Sequence, residues 1–255
     1  MNCLHSNGLS EQFLSDNLTS LTCDGAATML GKHKGIGALF CQKFPSIIVW
    51  HCANHRLELS VSDVIKSVSG VSRFKSFIDK LYVVYHVSPK NSRELRNCAN
   101  LLEAEILKIG RVLSTRWVAS SFRSVSAVWE SYEALVQHFK EASNDTTRDN
   151  KERSTFSGLL NKITDTNFIL DLGLMADALQ ELSELSEALQ HCNADLSYAN
   201  RKLQIVVALF EERKTTPGIY SKIAQEAVDN LSFFSVPLQT KAGRVNDQLK
   251  YFTEH

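Results

Sequence analysis

Apolar and polar positions along the chain change rhythm near residue 50. Before it, short apolar runs flank a glycine-rich segment. Residues 18–23 predict a strand that ends at Asp24-Gly25. Residues 26–44 set Met29, Leu30, Ile36, Leu39 and Phe40 at helical spacing, although Gly31, Gly35 and Gly37 weaken the first half. Pro45 stops that helix, and the β-branched and aromatic run Ile47, Ile48, Val49 and Trp50 predicts a second, buried strand. A strand, helix, strand unit follows.

Beyond Trp50 the period is helical. Residues 54–68 carry Leu57, Leu59, Val61 and Val64, and residues 71–86 carry Phe74, Phe77, Ile78, Leu81, Tyr82 and Tyr85, all three or four apart. Ser88-Pro89-Lys90 breaks the run and starts another helix to about residue 106. Residues 109–113 predict a third short strand, ahead of a helix over about 118–139. Residues 141–154 are polar and without period, which predicts an exposed loop. A helical hairpin comes last. Met175, Leu179, Leu182, Leu185, Leu189, Cys192 and Leu196 form one stripe, and Leu203, Val206, Val207 and Phe210 form its partner. The repeat is only a few heptads long, so it predicts core packing between antiparallel helices over a free coiled coil.

Composition narrows the class. At 255 residues with 44% hydrophobic and 22% charged side chains, the chain is an ordinary globular protein of one large or two modest domains. Lys plus Arg equals Asp plus Glu at 28 each, so any nucleic-acid surface must be local. No run approaches the roughly 18 apolar residues of a membrane span, and the first residues lack the basic and apolar regions of a signal peptide. The expectation is an intracellular chain without membrane partners. Its six cysteines are scattered, without a C-x-x-C pair, and read as reduced, small apolar residues.

Four places carry candidate chemistry. Asp24 stands where a strand ends, the position at which α/β folds hold metal-binding acids, but it also fits a turn aspartate capping the next helix. In His51-Cys52-Ala53-Asn54-His55, Cys52 and His55 share a helical face if the helix begins near Cys52. Zinc needs four ligands and no second Cys/His pair is near, so a packed Cys and a hydrogen-bonded His are the alternative. Residues 31–37 are a glycine-rich turn with two lysines, and they lack the order of a phosphate loop. Arg111, Arg116 and Arg123 can line one basic edge beside Trp117, which either anchors a helix or stacks a base.

Three motifs in order carry a resemblance: Cys23-Asp24-Gly25-Ala26-Ala27, Trp50-His51-Cys52-Ala53-Asn54-His55-Arg56-Leu57, and Leu113-Ser114-Thr115-Arg116-Trp117. Together they resemble the hAT transposases and their domesticated vertebrate descendants. The resemblance implies an α/β remnant of a ribonuclease-H-like fold over 1–117 and a predominantly α-helical insertion domain over 118–255. It matches Asp24 to the second acid of an Asp, Asp, Glu triad that binds magnesium in complete family members. Cys52 and His55 match the family's C-x-x-H pair, and Trp117 its R-W motif at the start of the insertion.

The first acid is expected on a strand well before Asp24, where only 23 residues stand, and the glutamate beyond the insertion, where the sequence reaches His255 still helical. With one acid of three, the expected chain is a fragment that does not cut DNA and holds no cofactor. The implied role is a nuclear scaffold with DNA or protein partners. A rival from the same resemblance is a SUMO-protein ligase, although no RING-like Cys/His array is present; a third reading is a non-functional fragment.

Overall fold

The computed structural model describes residues 2–104, 107, 110 and 117–240, and it divides into two compact units, Met1–Ser60 and Val61–His255. In the first unit, helices α1 (Asn2–Ser6) and α2 (Glu11–Asn17) precede strand β1 (Ser20–Cys23). Helices α3 (Ala27–Leu30) and α4 (Ile36–Lys43) then lead to strand β2 (Ile48–His51). The predicted helix over 26–44 is thus two helices, broken at the glycines 31 and 35 that weaken helical backbone. Strands β1 and β2 pair in parallel, with Leu21 opposite Val49 and Cys23 opposite His51. Leu14, Phe44 and Ile47 form the small core.

Helix α5 (Ala53–Ser67) runs from the first unit's sequence into the second's. The second unit then holds α6 (Ser69–Val87), α7 (Pro89–Leu101), α8 (Trp117–Glu130), α9 (Tyr132–Asn144) and α10 (Asn150–Ile163). The 25-residue α11 (Thr166–Gln190), α12 (Leu196–Arg213), α13 (Ile219–Asp229) and a hairpin of β3 (Ser232–Phe233) with β4 (Val236–Pro237) complete it.

The core of this unit forms around α11, which packs on α8, α13, α12 and α6. The predicted stripe of α6 is buried at Phe74, Phe77, Ile78, Leu81 and Tyr85. Phe233 of the hairpin is 2% exposed and meets the rings of Trp129 and Tyr132 edge-on, at 4.9 and 4.7 Å between centroids. Such offset aromatic contacts add about 0.5–1.5 kcal/mol each to the burial itself. Asp177 of α11 caps α13 across 43 residues of sequence: its carboxylate accepts from Tyr220 N at 3.1 Å and Ser221 N at 2.9 Å. A Cβ on Gly218 would stand 2.2 Å from that carboxylate, so the cap requires glycine there. The predicted partner stripe on α12 is present in a helix that has no fully buried residue; its Leu196 is 80% exposed.

These findings correct the expected fold class. Of the described residues 72% are helical and 6% lie in strands, in two small two-stranded sheets. This is not a ribonuclease-H-like α/β fold, nor a remnant of one that the sheet identifies. The reason lies in strand length and cover. A parallel sheet is stable when helices cover both faces, whereas β1 and β2 have four residues each and expose Ile48 (62%) and Trp50 (52%) on one face. The apolar run at 47–50 is therefore half-buried. Of the third predicted strand, only Gly110 is described, and it is not in a strand; residues 109 and 111–113 lie outside the described residues. Residues 141–154 are not a loop throughout, because α9 runs to Asn144 and α10 starts at Asn150.

Candidate functional site

The parallel pairing of β1 and β2 sets the chemistry of the first unit, because it brings the C-terminal ends of both strands together. Asp24 leaves β1 into solvent, and its Oδ1 accepts the Ala26 N–H at 3.1 Å. That bond closes an Asx turn ahead of α3, whose N-cap is Ala26 without a side-chain cap bond. At the end of β2, the Cys52 N–H donates to Cys23 O at 2.8 Å, and Cys52 O accepts from Arg56 N at 3.0 Å as α5 begins. His51 therefore closes the strand and His55 sits one turn into the helix.

Their rings face each other, with centroids 5.4 Å apart and planes at 46°. His51 also lies over the Asp24-Gly25 turn, where a Cβ on Gly25 would be 2.9 Å from His51 Cε1. Glycine at 25 is what lets the imidazole approach. The His51 Nε2 is buried and has no hydrogen-bond partner among the described residues. Asp24, Cys52 and His55 thus belong to one end of the strand pair. Among the described residues, however, no group of three or more His, Cys, Asp or Glu side chains is placed to hold a metal ion. The arrangement offers two half-buried imidazoles and one exposed carboxylate already used by the backbone.

The predicted basic edge belongs to the second unit. Arg111 and Arg116 lie outside the described residues, as does the Trp117 side chain, while the Trp117 backbone opens α8. Arg123 is exposed on α8, with Nε donating to Ala119 O at 3.2 Å, a bond within its own helix. Ser124, one residue on, donates from Oγ to Gly110 O at 2.9 Å.

Sequence reasoning missed a second polar cluster, buried between α6, α7, α9 and the 145–149 connection. Arg148, whose side chain is 1% exposed, donates to Glu94 Oε2 and, at 2.9 Å, to Asn91 Oδ1. Its Nε stands 3.4 Å from Asp145 Oδ2, an ion pair without hydrogen-bond alignment. The guanidinium also lies 4.8 Å from the centre of the Phe156 ring. His138 bridges the same carboxylate to a tyrosine, with Nε2 3.2 Å from Glu94 Oε2 and Nδ1 2.9 Å from Tyr85 Oη. Because an ionised carboxylate only accepts, the network assigns the proton to Nε2 and leaves Nδ1 to accept from the Tyr85 hydroxyl.

Burial holds the His138 pKa below the usual imidazole range, against an opposing pull from Glu94, and pushes the Tyr85 phenol well up. On the same faces of α7 and α9, Cys98 donates to Glu141 at 3.4 Å, and burial together with that carboxylate pushes the thiol up to about 12. Such a thiol is not a nucleophile at neutral pH. One signal for the cluster was present in the sequence: Asn91 occupies a core position of the α7 stripe, in register with the buried Leu95 and Cys98. Among the described residues no helix is long and apolar enough to cross a membrane. Compared with known proteins, the chain matches no family model and no solved structure, so the reading of its sites rests on these residues and distances.

Proposed function

We propose that the chain is a transposase-derived scaffold that engages nucleic acid without cutting it, in the nuclear setting that the motif resemblance implies. One observation carries the binding half. The chain has no net charge, yet α6 and α7 hold six Lys and Arg against two Asp and Glu. Both acids are occupied, Asp79 by Lys75 at 2.6 Å and Glu94 by Arg148 and His138. Local basic excess in a neutral chain is the electrostatic footprint of phosphate binding. The non-cutting half follows from Asp24, the single acid matched to the family triad, whose carboxylate closes its own turn. Two-metal cleavage of DNA needs several converging acids.

The test is a titration of end-labelled duplex DNA with the full chain in magnesium, following mobility and strand integrity together. The expected result is salt-sensitive binding with a Kd of order 10⁻⁴–10⁻⁶ M near physiological salt, the range of sequence-independent binders, with strands intact. Absence of binding at low salt would overturn the proposal. Cleavage abolished by Asp24→Ala would overturn its second half.

A further inference from the structure

The solvent face of α7 differs from every expectation set on the chain's sequence. Asn91, Leu95, Cys98 and Ala99 bury one side of the helix. On the opposite side stand Lys90, Arg93, Arg96, Asn97 and Asn100, all exposed. At 100° per residue they span a single arc of three cations and two amides with no acid in it. Lys90 lies 3.8 Å from Glu94 Oε1 and 3.7 Å from Asp145 Oδ2. Arg93 and Arg96 have no acid within ion-pair distance among the described residues. The next acid in sequence, Glu103, follows the end of the helix.

Helix stability does not explain this placement. Cations near the start of a helix oppose its dipole, whereas acids there would add about 0.3–1 kcal/mol. Helix α7 has no acid in its first turn and carries Lys90 there instead, with Arg93 just beyond it. Residues that break a local rule without a structural return are the ones to examine for function. The cationic side chains at 90, 93 and 96 rise roughly 9 Å along the axis, enough to reach neighbouring phosphates of a duplex that carries one phosphate per strand for about every 3.4 Å of its axis.

We infer that the Lys90, Arg93, Arg96 face of α7 is the surface that docks the phosphate backbone of a nucleic-acid duplex, with Asn97 and Asn100 donating to phosphate or sugar oxygens. This rests on the nucleic-acid reading above and names its contact face. The contact is to backbone, so it is independent of base sequence.

The experiment measures binding of the full chain to a labelled duplex by fluorescence anisotropy across 50–200 mM salt. It compares wild type, Arg93→Ala with Arg96→Ala, Arg93→Lys with Arg96→Lys, and a charge-matched control of Arg201→Ala with Lys222→Ala, each checked for an unchanged melting temperature. The alanine pair is expected to weaken binding about tenfold at the lower salt and to reduce the slope of log K against log salt by about 2, equally on duplexes of unrelated sequence. The lysine pair and the distant control should retain wild-type slopes. If wild type binds and the alanine pair keeps its slope, this face is excluded while the broader function stands. If wild type does not bind, both fail. Binding of phosphatidylserine vesicles by the α7 face without binding of DNA would also overturn the inference.

Discussion

The two polar clusters of this chain make an instructive pair. At the end of β1 and β2, His51 and His55 face each other in a half-buried setting, Asp24 is exposed, and His51 Nε2 lacks a partner among the described residues. Around Arg148, buried tyrosine, histidine and guanidinium side chains are joined through the half-buried Glu94 carboxylate. The first cluster was conspicuous in sequence and has little structure behind it. The second was invisible as a motif and holds three helices and a connection together. Residue types that attract attention in a sequence are thus not the ones with the largest energetic weight, because weight comes from burial and satisfied partners.

Substitutions sharpen that comparison. Arg148→Ala leaves Glu94 and Asn91 without their shared donor, and the expected loss is about 2–4 kcal/mol in a denaturant melt. That is less than for a fully buried pair, because the Glu94 side chain keeps 30% of its surface in solvent. A loss no larger than that of the exposed Lys151→Ala would show that the cluster adds nothing to stability.

Titration separates two groups of opposite sign, the half-buried Asp171 and the buried His138. Burial raises the Asp171 pKa to about 6, so its contribution to stability is present below the unfolded carboxylate value near 3.8 and is lost as pH rises through 6. Asp171→Asn is expected to raise stability at pH 7 by up to about 3 kcal/mol, a gain that disappears by pH 4. His138 acts the other way. Its lowered pKa gives stability present above about 6.5 and lost as pH falls through the lower folded value, so His138→Gln should flatten the acid side of the profile. Melting temperatures of both variants from pH 4 to 8 check the signs.

Smaller effects follow. Asp177→Ala removes the remote cap on α13 and should cost about 1 kcal/mol, since Tyr220 N and Ser221 N lose their acceptor. Trp50→Ser should change stability by under about 0.5 kcal/mol, because the indole stands on the open face of the strand pair and is half-exposed. A drop of several kcal/mol there would mean that this face is covered.

Much of the second unit was legible in the sequence. The three-to-four spacing of Phe74, Phe77, Ile78, Leu81 and Tyr85 named the buried face of α6, and Ser88-Pro89 marked the start of α7, where the Ser88 hydroxyl accepts from Asn91 N at 3.3 Å. The fold class was not legible. Short apolar runs such as residues 47–50 have the same appearance in a deeply covered sheet and in a two-stranded pair with one open face, since periodicity says nothing about how many neighbours a strand will find. The 141–154 segment misled for a related reason. Its polar composition signals a surface, but Arg148 is drawn inward by Glu94 and Asn91, partners 54 and 57 residues away in sequence that no local window contains. At the candidate site, Asp24 was legible at the strand's end, but its bond to Ala26 N depends on the turn geometry, which the sequence does not give.

On the proposal above, nucleic-acid contact belongs to the second unit, and the first does not cut. The most direct measurement compares wild type, Asp24→Ala, and Arg93→Ala with Arg96→Ala on one labelled duplex in magnesium, recording affinity and strand integrity in the same samples. The predicted result is intact strands throughout, Asp24→Ala binding like wild type, and the arginine pair weakened about tenfold with a shallower salt dependence. Strand cleavage lost in Asp24→Ala, or affinity lost there and kept in the arginine pair, would contradict it.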